Sequence, residues 1–375
     1  MNSKVALIPC DSYDEEKVYQ AVSKGFELLG GVDKYVKKED RVLIKLNLLS
    51  SSSPDKAITT HPSVFGAVLK SLREFGCEDI KYGDAPGNPI AKIEDTLENC
   101  LIKPEAQKHG AVLGKFTSSH TKKYPEGKTA KSFVLVDAVD EADTIFEICK
   151  MKTHALENIT GAIKNQYGFV AGAHKTKGHA QYADSNKFAG MLADLNKCIG
   201  IKFHIMDGVV AMEGNGPAAG NPTPMNMILM SEDPVAMDTL FAKLVYLDPT
   251  YVPTNIHGAK AGLGTMDLKE ISVVTPDGEL SVADATKKYG NFNFDVKRKK
   301  PVAWAIPGIS KLFEKKGEKP VADLDKCIAC GVCQKACPVE AVKSGNGQKA
   351  TYDYKKCIRC YCCQEMCPAN AITKA

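Results

Sequence analysis

Nine of the fourteen cysteines in this chain lie between Cys327 and Cys367, while Cys10, Cys77, Cys100, Cys149 and Cys198 are scattered singly upstream. The dense stretch is a repeat with an offset of 30 residues. Cys327, Cys330, Cys333 and Cys337 precede Pro338, and Cys357, Cys360, Cys363 and Cys367 precede Pro368. Both copies follow the spacing C-x2-C-x2-C-x3-C-P. No other feature restricts the fold as much, because three thiolates so close in sequence must wrap around a shared centre. In a chain of cytoplasmic character such a cluster marks metal ligation rather than disulfides.

The spacing names the centre. C-x2-C-x2-C reaches three irons of one [4Fe–4S] cubane, and the fourth iron needs a thiolate from elsewhere. In the bacterial two-cluster ferredoxin run the sister repeat supplies it. Cluster I is therefore expected on Cys327, Cys330, Cys333 and Cys367, and cluster II on Cys357, Cys360, Cys363 and Cys337. The proline after each remote cysteine has no N–H to donate and turns the chain away. Tetrahedral zinc would use two cysteine pairs rather than eight cysteines in this pattern. Cys362 is a ninth thiol; the spacing is complete without it, so a non-ligand is expected, with a spare ligand or a sulfur near cluster II as alternatives.

At 375 residues, 44% hydrophobic and 25% charged, the chain suits one large α/β unit plus a small module and excludes disordered, collagen-like or coiled-coil classes. No uncharged apolar run approaches the 18 or so residues of a membrane span. The short N-terminal apolar run, residues 5–9, is too brief for a secretory signal, so a cytoplasmic location is expected. The formal net charge of +4 is offset by two anionic clusters and gives no reason to expect nucleic-acid binding. The expected domains are 1–295, a basic proline-containing linker 296–320 with the single Trp304, and a ferredoxin-type domain 321–375. The linker invites an acidic protein electron donor or acceptor or a membrane surface, or simply packs Trp304 and Ile306 between domains.

Upstream, strand-like runs at 5–8, 41–46, 79–82, 132–136, 144–148, 203–206, 227–230 and 271–274 alternate with amphipathic stretches at 15–29, 62–75, 92–101, 186–198 and 234–247. That alternation predicts a layered α/β fold with a largely parallel sheet. In such sheets ligands sit beyond the carboxyl ends of the strands. Polar residues there are Lys45 and Asn47, then His61, Asp84, Lys152 and His154 in a presumed loop, Lys164 and Asn165, and Glu213. Lys45, Lys152, His154 and Lys164 together suit a carboxylate or phosphate, with His154 shuttling a proton. There is no P-loop. Gly214, Gly216 and Gly220 miss the dinucleotide-binding register by one residue. A flavin held in another way is compatible with the sequence.

Several segments resemble the domain-of-unknown-function family 362. They are Ala6-Leu7-Ile8-Pro9-Cys10-Asp11-Ser12-Tyr13, Ile44-Lys45-Leu46-Asn47-Leu48-Leu49, Thr59-Thr60-His61-Pro62, Gly83-Asp84-Ala85-Pro86-Gly87, Lys152-Thr153-His154, Gly161-Ala162-Ile163-Lys164-Asn165, Met206-Asp207, Met212-Glu213-Gly214-Asn215-Gly216-Pro217 and Asp233-Pro234-Val235-Ala236-Met237-Asp238. The tail from Cys357 to Pro368 is similar to the ferredoxin module often fused to that domain. The resemblance implies an iron–sulfur protein of anaerobic type and names no reaction.

The expected function is an oxidoreductase passing low-potential electrons through two [4Fe–4S] clusters to a small anionic substrate. His154, Lys152, Asp84 and Glu213 are the catalytic candidates. Lys45, Asn47, His61, Lys164 and Asn165 are the substrate-binding ones. The alternative is a ferredoxin-like electron carrier or redox adaptor with no catalytic site of its own. A cluster-assembly or redox-regulatory role would make Cys362 or Cys10 important.

Overall fold

The computed structural model describes residues 2–86, 93–172, 174–298 and 318–375. Gly87, Trp304 and most of the expected linker lie outside them. A ten-stranded sheet organises the large domain in the order β12-β11-β1-β10-β9-β7-β2-β3-β4, with β8 paired to β7. Its strands are β1 (Ser3–Pro9), β2 (Val42–Lys45), β3 (Ile80–Gly83), β4 (Val112–Leu113), β7 (Thr144–His154), β8 (Asn158–Thr160), β9 (Phe203–Glu213), β10 (Asn221–Ser231), β11 (Ile271–Thr275) and β12 (Gly278–Ser281). A separate hairpin joins β5 (Ser119–Lys123) and β6 (Ser132–Val136).

The sheet is mixed. Strands β4, β3, β2, β7 and β9 run parallel. The direction then reverses, because β9 and β10 form a long hairpin, and β10 pairs antiparallel with β1. Both hairpin strands run to 11 residues, well beyond the apolar cores at 203–206 and 227–230.

Strand alternation builds two helical layers around the sheet. Ala6 and Ile8 of β1, with Phe146 and Ile148 of β7, face α1 (Glu15–Leu28) and α2 (Pro62–Phe75). Val5 and Leu7, with Cys149 and Met151, face α8 (Pro234–Leu244) and α10 (Val282–Tyr289). Helix starts carry the expected caps. Asp14 accepts from Lys17 N, and Asp233 precedes Pro234 and accepts from Ala236 N. Gly76 ends α2 at φ 110°, a conformation costly for any residue with a Cβ. Helices α3 (Ile93–Asn99), α4 (Ile102–Lys108), α5 (Ala162–Asn165), α6 (His174–Gln181), α7 (Ser185–Ile199) and α9 (Pro253–Lys260) complete the layers.

One expectation is corrected here. Residues 150–154 are not a loop: β7 continues through His154, completely buried along its length. Strand β8 folds back to pair Lys152 with Thr160, Thr153 with Ile159 and His154 with Asn158. Polar residues can extend a buried strand when partners on both sides satisfy its backbone. The alternation that turns Phe146 and Ile148 to one face then places Lys150, Lys152 and His154 in line beyond them.

The module holds two antiparallel pairs, β13 (Pro320–Ala322) with β16 (Ile372–Lys374) and β14 (Val342–Gly345) with β15 (Gln348–Tyr352). One-turn helices Val332–Lys335 and Cys362–Glu365 each begin one residue before the third cysteine of the repeat and carry it. The sequence repeat is also a backbone repeat. Ala329 and Arg359, Gly331 and Tyr361, and Glu340 and Asn370 are all left-handed, at the same offset of 30 residues.

Candidate metal centres and a cavity beside them

Two cavities of similar size lie inside the module. One, of about 300 Å³, is lined by Cys327, Cys330, Cys333 and Cys367. The other, of about 280 Å³, is lined by Cys337, Cys357, Cys360 and Cys363. Each draws three cysteines from one repeat and the last from the other. Their thiols also meet backbone donors in repeat-equivalent positions: Ala341 N to Cys337 Sγ at 3.2 Å and Ala371 N to Cys367 Sγ at 3.3 Å. Among the described residues no three His, Cys, Asp or Glu side chains group closely enough to hold a single metal ion. Four thiols per cavity are the number that a cubane takes, one on each iron.

A third cavity, about 700 Å³ with its open mouth, lies where the sheet domain meets the module. From the domain come Asn47, Asp84, Lys152, Lys164, Asn165 and Lys175, with the rings of Tyr167 and His179; from the module come Ala336, Cys362, Glu365 and Met366. Behind this wall Lys45 is fully buried, 3.0 Å from Asp84 Oδ1. Asp84 Oδ2 also accepts from Leu48 N at 2.7 Å. Gly168 permits that pair: a Cβ there would stand 2.1 Å from Asp84 Oδ1 and 2.5 Å from Lys45 Nζ. Asn47 Nδ2 donates to Asn165 Oδ1 at 2.9 Å, tying the two together.

Lys164 and Asn165 ride on α5, whose start is fixed from behind. Asp238 of α8 accepts from Ala162 N at 2.8 Å and Ile163 N at 3.2 Å. Burial pushes Asp238 up to about 7 in spite of those two N–H bonds. Lys152 Nζ donates to Ile58 O at 2.6 Å. Burial, with Lys164 nearby, pushes its ammonium well down. Burial likewise lowers Lys175 to about 8, against the pull of Asp84. Burial thus disfavours the charged form of both amines, which an anionic group placed beside them would favour.

His154 Nδ1 accepts from Leu156 N and Glu157 N at 3.2 and 3.1 Å, which leaves its proton on Nε2. That Nε2 stands 3.0 Å from Glu365 Oε1 of the module. Burial, then Lys164, lowers His154 to about 4, so the ring is neutral. Burial acts upward on Glu365, but Lys164, His154 and His179 outweigh it and hold the carboxyl well below its usual range. Further contacts seat the module: Gln364 Nε2 bonds Asn215 Oδ1, and Lys374 Nζ donates to Ala155 O at 2.7 Å.

The structure thus gathers Lys45, Asn47, Asp84, Lys152, His154, Lys164 and Asn165 at or directly behind one cavity. Two candidates lie elsewhere. His61 caps α2, accepting from Ser63 N at 3.2 Å, and stacks on Tyr13 with ring centroids 3.5 Å apart. Glu213 ends β9 and accepts from Asp295 N at 2.8 Å. Its neighbours Asn215 and Gly216 instead hold the module. Lys175, His179 and Glu365 were not singled out from sequence. The i, i+4 spacing of Lys175 and His179 on one short polar helix was the available signal; Glu365 gave none beyond its position between Cys363 and Cys367.

A mixed α/β sheet domain joined to a module of two cysteine repeats defines an iron–sulfur protein of electron-transfer type. The chain belongs to the DUF362 family, described as a domain of unknown function: residues 42–243 match that family, and residues 319–368 match the 4Fe-4S dicluster domain. A thylakoid-associated protein from Synechocystis sp. is 30% identical over 264 residues, covering 70% of this chain and 81% of the relative. Two solved structures are more distantly similar. The lactate racemase apoprotein from Thermoanaerobacterium thermosaccharolyticum aligns with a TM-score of 0.41 at 10% identity, over 61% of this chain and 54% of that one. A protein from Thermotoga maritima aligns with a TM-score of 0.38 at 14% identity, over 67% and 60%. The chain therefore spans less than two thirds of either. Among the described residues no helix is long and apolar enough to cross a membrane.

Proposed function

We propose that this protein is an oxidoreductase that exchanges electrons between a protein partner and a small anion bound in the cavity between sheet domain and module. Cys327, Cys330, Cys333 and Cys367 would hold one [4Fe–4S] cluster, and Cys337, Cys357, Cys360 and Cys363 the second. Bound clusters supply one-electron transfer at potentials set by their surroundings. The observation that carries the reading is the shared cavity wall: lysines from the domain face the same helical turn that supplies Cys363 to the second cysteine cavity.

The residues divide the work by chemistry. Lys152, Lys164 and Lys175 attract the anion, and Asn47 and Asn165 offer amide groups that orient it. Lys45 neutralises Asp84, so that carboxylate does not repel the ligand. His154, neutral and buried, stands with Nε2 3.0 Å from Glu365 and helps fix that carboxylate at the cavity wall. The apolar faces of Tyr167, Leu49 and Met366 restrict water.

The test is anaerobic. Purified protein is analysed for iron and sulfide, reduced, and followed by absorbance and EPR while pools of small carboxylates and phosphates are added. About eight irons per chain, re-oxidation by one pool, and loss of that re-oxidation in Lys164→Gln with iron unchanged are expected. Full iron with re-oxidation only by a protein acceptor would establish the carrier alternative instead.

A further inference from the structure

The ninth cysteine of the module lines a different cavity from the other eight, although its thiol also contacts that of Cys360. Cys360 and Cys363 line the second cysteine cavity, whereas Cys362 lines the lysine cavity beside Glu365 and Met366. The backbone accounts for the divergence. Tyr361 is left-handed at φ 60° and caps the turn Cys362–Glu365, and successive residues on a helical turn leave its axis about 100° apart. A second feature marks this space as a binding site. His179 lines it, is only 4% exposed, and its Nδ1 has no hydrogen-bond partner among the described residues. Its ring is fixed by stacking on Phe188 and by the edge of Tyr167, so the bare nitrogen cannot swing away to find one. Lys164, on the same wall, makes no hydrogen bond or ion pair through its ammonium among the described residues.

We propose that Cys362 is a substrate-contacting residue rather than a cluster ligand: its thiol is where the cysteine module touches the anion held by Lys152, Lys164 and Lys175. The inference rests on the anion-cavity reading above and specifies its occupant further. The ligand is a small carboxylate-like anion, with its charged end on the ammonium groups and its other end against sulfur.

Haloacetates test this directly, since iodoacetate is at once a small carboxylate and a thiol reagent. In the labelling step the Cys362 thiolate attacks the methylene carbon, a C–S bond forms, the C–I bond breaks, iodide leaves and the thiol proton passes to buffer. Iron-loaded wild-type protein is treated with iodoacetate or with neutral iodoacetamide, and the labelled cysteines are located by peptide mass spectrometry. Electrostatic focusing predicts that iodoacetate labels Cys362 about tenfold faster than iodoacetamide. Lys164→Gln abolishes that preference, and Cys362→Ser keeps the full iron content. Labelling that favours the neutral reagent, or loss of iron in Cys362→Ser, overturns the proposal. Since the wild-type rates decide alone, a misfolded variant does not obscure the result. If the preference holds while no small anion re-oxidises the reduced protein, the electron-transfer reading fails and the placement of Cys362 stands.

Discussion

Glu365 of the cysteine module stands 3.0 Å from His154 of the sheet domain, and both side chains are buried. Glu365 is also two residues from Cys363 and two from Cys367, which line different cysteine cavities. One carboxylate therefore joins the position of both cavities to the line of polar residues along β7. Lys164 adds its charge to the same point, so the interface between domain and module is electrostatic at its centre.

Removing that carboxylate leaves Lys164 and His154 facing an uncharged gap. Leaving a buried polar group without its partner costs about 1–3 kcal/mol. Glu365→Ala is expected to lower the melting temperature by several degrees while retaining iron, measured by calorimetry with iron analysis. An unchanged melting temperature would remove the contact from any structural role.

The seating of Gln364 on Asn215 and Gly216 depends on close approach. A Cβ on Gly216 would stand 2.3 Å from Thr153 O and 2.4 Å from Thr153 Oγ1, and backbone cannot easily yield. Gly216→Ala is expected to destabilise the protein by about 1–3 kcal/mol. Amide hydrogen exchange over residues 362–365 should rise with it, and unaltered exchange would count against this docking role.

The crossing of the repeats predicts how substitutions combine. Cys337 sits in the first repeat but lines the cavity of the second. Cys337→Ser alone should remove about half of the eight irons. Adding Cys357→Ser should change little, whereas adding Cys327→Ser should remove the rest. Iron analysis and EPR of the three proteins decide it; equal loss in both double variants would break the crossed assignment.

Acid should loosen the fold through its buried imidazoles. Burial lowers His154 and His179 to about 4 from an ordinary value of 6.5. The unfolded chain then binds protons that the native state refuses. Stability is full above about pH 6.5 and is lost as pH falls toward 4, by about 2 kcal/mol per histidine between pH 7 and 5. His179→Gln should flatten the decline of melting temperature over that window. A variant with the same pH slope as the parent would show that His179 does not contribute.

The cysteine module was legible because its chemistry is local. Three thiols within seven residues can meet only around a common centre, and an offset of 30 residues announces the partner repeat that completes it. Helix α2 was legible at both ends, since Pro62 and Gly76 have backbone geometries that punctuate a helix wherever it packs. The alternation of strands and helices gave the layered class for the same reason, each period being set within a few residues. The reach of β7 was not local. Lys150 and Lys152 extend a strand only because β8 and β9 satisfy their backbone from either side, and no window of sequence contains both partners. The cavity between domain and module was half visible: Lys152 and Lys164 stood out as polar residues after apolar runs, and Lys175 did not. Its other wall comes from residues some 200 positions away, where Cys362 and Glu365 turn toward Lys164 rather than toward the cysteine cavities. That choice depends on the docking of Gln364 against Asn215 and Gly216, a contact between surfaces that only the folded chain brings together.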